Sequence, residues 1–544
     1  MRRRDFIQAA AATATTLSRP ALAQPAASRI LRVIPQANLT SLDPVWTTAV
    51  VTRNHAYLVY DQLVAVNAAF QPQPQMAEAW TASPDGLDWA FRLRPGLRFH
   101  DNTPVLARDA VASIRRWWAR DSLGQTLATL TDELSAPDDR TIHFRLKRPF
   151  PLLPFALGKA SPMPMFVMPE RIAQTDPFKA ITDPTGSGPF RFVPNEWNPG
   201  SRAVWERSPY YTPRDEPVDG IAGGRRANVD RVEWTIIPDS STASAALASG
   251  EQDYWEYPLH DLLPLLRRTR GVTIGQRLAQ GTYCGIRLNH LQPPFNNPAI
   301  RRALLMAVDQ QDYLRAVAGD GEPGQPAPWG VCESVYACGD ATETAPGITT
   351  STATGTAAGN DLLRLHSVDR AAAALKASGY KGERAVILAP SDYPQINALS
   401  LVTADLMRRI GFNVDLAATD WGTVTQRRTS KEPAERGGWS VFHSTWGGAD
   451  VHDPAVSQQT RTNRDGAWFG WPDDAEIEAL RAQWLETPDP AAQKEIADAI
   501  QVRAFETVPF IPLGYYWQPS AWRTNVTGTF PCQVTTFWNI GKSA

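Results

Sequence analysis

The chain has 544 residues, more than one hydrophobic core usually encloses, so two or three domains are expected. With 43% hydrophobic and 20% charged residues it reads as a folded soluble protein. Its 54 basic and 56 acidic side chains nearly cancel and form no basic stripe, which excludes nucleic acid as a natural partner.

Arg3-Arg4-Asp5-Phe6-Ile7-Gln8 reads as a twin-arginine signal, followed by an Ala/Thr run and an Ala21-Leu22-Ala23 cleavage site. A short buried helix is the plain alternative, but a run so poor in large apolar residues would bury little. Loss of residues 1–23 would leave 50 basic and 55 acidic side chains, a net charge of −5. Gln24 and not a Cys stands at the cleavage site, and no later segment has the ~18 uninterrupted apolar residues of a membrane span, so export to the periplasm without an anchor is expected. Four cysteines could oxidise there. Cys332 and Cys338 are close enough to staple a local loop, and Cys284 with Cys532 could make a second bridge, although four cysteines allow three connectivities. A zinc site is the weaker reading, because C-x5-C is not a usual zinc spacing and no His lies nearby.

In chain order, Ile30 to Ile34 reads as a first strand, Leu42-Asp43-Pro44 opens a loop containing Trp46, and Asn54 to Leu63 is a helix before a strand from Val64 to Asn67. From Met76 to Trp118, Leu87, Trp89, Phe91 and Leu93 alternate with polar residues, Pro95-Gly96 turns the chain, and Leu97 and Phe99 resume the alternation. Ala107, Ala110/Val111, Ile114 and Trp117/Trp118 then give a helix with one apolar stripe. A second hairpin strand follows at Thr141 to Leu146, and Pro149 to Pro169 is too rich in proline for one regular element. Thr185-Gly186-Ser187-Gly188-Pro189-Phe190 lacks the Lys-Ser/Thr and the helix of a phosphate loop.

Ala243 to Ser249 is helical, Tyr283 to Leu288 is a strand, and Asn297 caps a helix that begins at Pro298. Ala341 to Asn360 has no periodicity and reads as a surface loop. Ser367 caps a helix ending near Gly379, and Val386 to Leu388, a helix ending at Gly411, and Val414 to Leu416 follow, so this half predicts an α/β lobe with a mainly parallel sheet. Val441 to Thr445 is another strand, and two helices from Asp473 lead into Val508 to Leu513.

Two long runs, MAEAWTASPDGLDWAFRLRPGLRFHDNTP and NHLQPPFNNPAIRRALLMAVDQQDYL, stand in this order along the chain. They resemble the signatures of the peptide/nickel-type solute-binding proteins of ABC importers, the family 5 or dipeptide-binding-protein-like group. The resemblance implies an α/β fold of the type II periplasmic binding protein class, in its large three-subdomain form, with crossover strands joining two lobes around a ligand cleft. It divides the chain into a signal (1–23), a first lobe (24–65, 186–285 and 509–544), an extra subdomain (66–185) and a second lobe (286–508).

The resemblance also supplies candidate ligand residues. Trp446-Gly447-Gly448-Ala449-Asp450-Val451-His452-Asp453-Pro454 is similar to the family's W-x-x-D-x-x-D/E-P, whose first acid holds a ligand ammonium in peptide binders. Asp450 takes that place relative to Asp453-Pro454 but stands one residue late relative to Trp446. An Asx turn would explain it as well. Gly448 would let backbone approach a ligand, and Trp446, Trp421 and Trp46 offer flat apolar faces, although most of the 19 Trp must be core. Tyr393 stands where dipeptide binders carry a tyrosine with a carboxylate-gripping arginine, and no arginine accompanies it.

His443 and His452 could hold nickel or a metal chelate but are more simply packing or surface residues. No G-x-S-x-G, H-E-x-x-H or Walker motif is present, and Asp473-Asp474 is explained by a helix start. The expectation is a monomeric, cofactor-free binding protein and not an enzyme. It would capture an oligopeptide or other amine-bearing solute and pass it to a membrane permease. The alternatives are a metal-chelate, sugar or opine binder of the same family and, from another class, a periplasmic hydrolase.

Overall fold

A computed structural model describes residues 29–278, 280–321, 326–338, 356–487 and 489–543. The expected signal, 1–23, lies outside the described residues, as does most of the loop expected from Ala341 to Asn360. Among the described residues no helix is long and apolar enough to cross a membrane.

Three sheets organise the molecule. The first has seven strands in the order Val272–Gln276, Pro519–Arg523, Tyr254–Trp255, Ile30–Ile34, Arg231–Thr235, Arg202–Arg207 and Phe190–Phe192. Ile30–Ile34 lies at its centre, parallel to both neighbours. The second has six strands in the order Trp329–Gly330, Phe510–Tyr516, Thr282–Leu288, Val441–Gly447, Arg384–Pro390 and Asn413–Thr419. The third is an antiparallel four-stranded sheet of Ala77–Ala82, Asp88–Leu93, Thr141–Leu146 and Thr131–Ser135.

The second sheet is more mixed than its helix–strand alternation predicts. Arg384–Pro390 runs parallel to Asn413–Thr419 and Val441–Gly447, as a helical crossover requires. Thr282–Leu288 runs antiparallel to both its neighbours, because the chain enters this sheet from the first one at Thr282 and returns to it after Phe510–Tyr516, with no helical crossover joining these strands. Sheet membership puts the two crossings between Gln276 and Thr282 and between Tyr516 and Pro519. We propose that the two lobes divide at these crossings.

In the third sheet, Phe91 and Leu93 turn into the core while Asp88 and Arg92 stay exposed, as alternation requires. Their partner precedes them, however. Asp88–Leu93 pairs with Ala77–Ala82 through a turn held by Ser83 and Asp85, whereas Leu97 and Phe99 are buried with no strand beyond a bridge from Arg98 to Pro104. Helix Ala107–Trp118 buries Ala107, Ala110, Val111, Ile114 and Trp117 against this sheet.

The early helix spans Val50–Val59, four residues before its expected position. It stops where the chain of Gly186 and Gly188 crosses its end, and the Gly188 N–H donates to the Val59 carbonyl at 2.8 Å. A Cβ on Gly186 would stand 2.0 Å from the Val59 oxygen, so those glycines serve close backbone approach. The later caps form as expected. Asn297, Ser367 and Asp474 accept from the first-turn N–H groups of Ala299, Arg370 and Ile477, and Gly411 ends its helix at φ 108°.

Cys332 is bonded to Cys338. The second expected bridge does not form: Cys284 and Cys532 are buried free thiols in two different hydrophobic cores, one under each large sheet.

A buried ion pair fastens helix Ala107–Trp118 to the loop after strand Ile30–Ile34. Arg116 donates to both oxygens of Asp43 at 3.0 and 2.6 Å, and the N–H groups of Val45 and Ile181 complete the carboxylate's bonding. Asp43→Ala leaves Arg116 buried without its anion and is expected to cost about 3–5 kcal/mol of unfolding free energy, read as a lower urea midpoint.

Candidate ligand-binding site

The cleft between the two large sheets is built from helix starts and strand ends, where open α/β sheets present their ligand groups. From the first side come Gln36, just beyond strand Ile30–Ile34, and Arg53, on helix Val50–Val59. From the second come Tyr393, the cap of helix Pro394–Ile410, Trp421, at the start of helix Trp421–Arg427, Trp446, near the end of strand Val441–Gly447, and Asp450, just beyond that strand. They line one inner cavity of about 40 Å³. Thr48, Gln458, Trp468 and Arg428 are shared with an outer vestibule of about 420 Å³.

Asp450 does face the cavity, 3% exposed, with both oxygens engaged by protein groups. One accepts the Gly447 N–H at 2.8 Å, and the other accepts the Ser161 hydroxyl. Ser161 accepts in turn from Arg53 Nη1 at 2.5 Å, and that guanidinium lies 3.7 Å from Asp450. A carboxylate of one lobe thus meets a hydroxyl and a guanidinium from across the cleft. Two more bonds span it: Tyr393 Oη donates to Gln36 Oε1 at 2.7 Å, and Trp468 Nε1 donates to Thr48 Oγ1 at 3.3 Å.

Tyr393, Trp421 and Trp446 therefore come together as cavity walls. Tyr393 and Trp421 meet edge to face at 5.3 Å, and Trp446 packs edge-on to Trp468 at 5.7 Å over Gly285, where a Cβ would stand 2.8 Å from the indole. Trp46 lines only the vestibule. Gly448 is not at the cavity; it packs on Gln280, whose Cβ would lie 2.4 Å from an added Cβ.

Arg53, Gln36, Ser161, Trp468 and Arg428 were not apparent from the sequence. Arg53 carried a faint signal, as the one arginine, lysine or acid in helix VVTRNHAYLV. Beneath Arg53, Glu256 is fully buried and accepts from the Gln36 N–H at 2.9 Å and from Asn54 Nδ2 at 2.7 Å. Burial pushes its carboxyl up to about 7.

His443 is no metal ligand in this arrangement. Its Nδ1 meets Ser400 Oγ at 3.1 Å and its Nε2 meets Thr403 Oγ1 at 2.7 Å, and burial lowers its pKa to about 3, so it is a neutral packing residue. His452 stacks on Phe70. Among the described residues no three His, Cys, Asp or Glu side chains gather as a metal site.

Removing the bond between lobes by Tyr393→Phe should cost the closed form about 1 kcal/mol, roughly a five-fold loss of solute affinity by calorimetry. Glu256 binds a proton in the folded protein that the unfolded chain releases at an ordinary carboxylate pKa. Its contribution to stability is therefore full below about pH 4.5 and lost as pH rises to about 7, on the order of 3 kcal/mol. Denaturant melts from pH 4.5 to 8 should show that fall, and Glu256→Gln should flatten it.

The family model described as "Bacterial extracellular solute-binding proteins, family 5 Middle" matches residues 71–468. A relative from Sinorhizobium fredii, named "Probable peptide ABC transporter periplasmic-binding protein", is 36% identical over 548 residues, covering 99% of each chain. Among solved structures, the periplasmic binding protein AgaA of A. tumefaciens R10 in complex with agropinic acid superposes with a TM-score of 0.74 at 21% identity, over 95% of this chain and 99% of that one. The Helicobacter pylori protein DppA in complex with the peptide STSA gives 0.71 at 21% identity, over 94% and 98%. At that identity the two structures establish the fold.

Proposed function

Because the chain belongs to family 5 of the bacterial extracellular solute-binding proteins, we propose that it captures a small peptide or peptide-like solute in the cleft between its lobes and delivers it to an ABC permease. The observation that carries this reading is the cleft itself. Groups from both lobes line one cavity, and three hydrogen bonds reach across it, from Ser161 to Asp450, Tyr393 to Gln36 and Trp468 to Thr48. A solute that touches both walls favours the closed form, whereas one that touches a single wall binds without closing it. The 36% identical relative, matched over its whole length, carries a peptide-transport name, which supports the peptide class.

In this reading the protein works in the periplasm as a monomer, and residues 1–23 direct its export by the twin-arginine route. The permease engages the closed face, so the chain itself performs no reaction. Asp450, Trp446, Trp421 and Tyr393 contact the solute directly, and Trp46 meets any part of it that extends into the vestibule. An opine-like acid is the second reading, favoured by the buried guanidinium of Arg428 on the cavity wall.

The test is native mass spectrometry of the protein purified from its own periplasm, followed by denaturation and identification of what is released. A peptide or amino-acid conjugate is the expected result. A metal chelate, or conversion of peptide or ester libraries by the purified protein, would contradict the proposal.

A further inference from the structure

Arg287 and Arg428 are both buried behind the cleft and have no carboxylate partner among the described residues, but their surroundings differ. Arg287 spends its donors on backbone carbonyls: Nε on Phe469 at 2.6 Å, Nη1 on Gln459 at 3.0 Å and Pro509 at 3.3 Å, and Nη2 on Trp468 at 3.0 Å. It is a structural residue that ties the segment around Trp468 to the sheet.

Arg428 is equally buried, 3% exposed, yet among the described residues it makes no ion pair and no side-chain hydrogen bond, and its Nε is buried without a partner. Rings stand around it instead: Phe469, Trp468, Trp421 and Phe442 lie 5.0, 5.3, 5.7 and 5.7 Å from its Cζ. Aromatic faces attract a cation but offer its N–H fork no oxygen acceptors. Burial lowers its pKa only to about 9, so it stays charged at neutral pH.

The fork lies where the inner cavity and the vestibule meet, because Arg428 lines both. The other two charges on the inner wall, Arg53 and Asp450, already face each other at 3.7 Å with Ser161 between them. The inner cavity therefore carries one uncompensated positive charge. Its volume of about 40 Å³ suits a small group, while drug-sized solutes need several hundred Å³, which the vestibule supplies.

We infer that Arg428 is the anion receptor of the cleft, and that the solute is a carboxylic acid held by its carboxylate in this aromatic box. Asp450 then has its charge met by Arg53 of the opposite wall and is not the principal ionic anchor. The inference rests on the solute-binding reading above and deepens it by naming the group that the site selects. It also supplies from Arg428, 35 positions after Tyr393, the cation that the sequence around Tyr393 lacks.

The experiment is calorimetric titration of the full mature protein with pooled tripeptides, in free-acid form and as their C-terminal amides. The wild type is expected to bind the acids about 10- to 100-fold more tightly than the amides. In Arg428→Gln that ratio should fall toward one, and Arg428→Lys should restore part of it, with thermal melts recorded to show that each variant is folded. If the acids and amides bind equally to the wild type, or if folded Arg428→Gln keeps the ratio, the inference is overturned and the peptide reading stands. If neither form binds, the peptide reading fails and this inference falls with it.

Discussion

Closing this cleft brings buried charges together, and the energetics of the site depend on how each is matched. Asp450 and Arg53 come from opposite walls, and each would carry a desolvation cost of several kcal/mol if buried alone. Through Ser161 they offset one another in the closed form. Arg428 has no such match within the described protein; its aromatic enclosure returns only part of what water would give. Closure is thus compensated at one charge pair and uncompensated at another.

In the proposed mechanism that asymmetry couples binding to closure. A ligand moves a two-state equilibrium only by its differential affinity, and a swing from 1:99 to 99:1 needs about 5.5 kcal/mol. A buried guanidinium that gains a carboxylate only in the closed form is an efficient source of it. The bonds from Tyr393 to Gln36 and from Trp468 to Thr48 are weaker, neutral latches that add geometry. Behind them, the buried pair of Asp43 and Arg116 and the glycines packed on the Val59 carbonyl hold helix Val50–Val59, and so Arg53, in place.

Much of this was legible in the sequence, for definite reasons. The strand of Leu87 to Leu93, the helix from Ala107 and the capped helix at Pro298 follow from local periodicity and cap chemistry, which the fold preserves. Strand pairing did not follow, because Leu97 and Phe99 show the right alternation while Ala77–Ala82 is the actual neighbour. Sheet direction around Thr282–Leu288 and the separation of Cys284 from Cys532 depend on where crossover segments travel, and alternation carries no signal for that. At the site, Asp450, Trp446, Trp421 and Tyr393 do line one cavity, because each stands near a strand end or at the start of the helix after it. Arg428 was invisible because, beside Arg427 in a polar run, it reads as surface charge. Only Trp468 and Phe469, some 40 positions later, turn it into a buried cation.

A crystal structure of the protein with the solute it acquires in its own periplasm tests the central claim most directly. The account predicts a carboxylate oxygen about 2.7–2.9 Å from Arg428 Nη atoms, between Trp421 and Trp468, with the rest of the solute running into the vestibule past Trp46. A solute seated elsewhere, or one in the cleft whose only ionic contact is an ammonium on Asp450 while Arg428 stays without an anion, would contradict it.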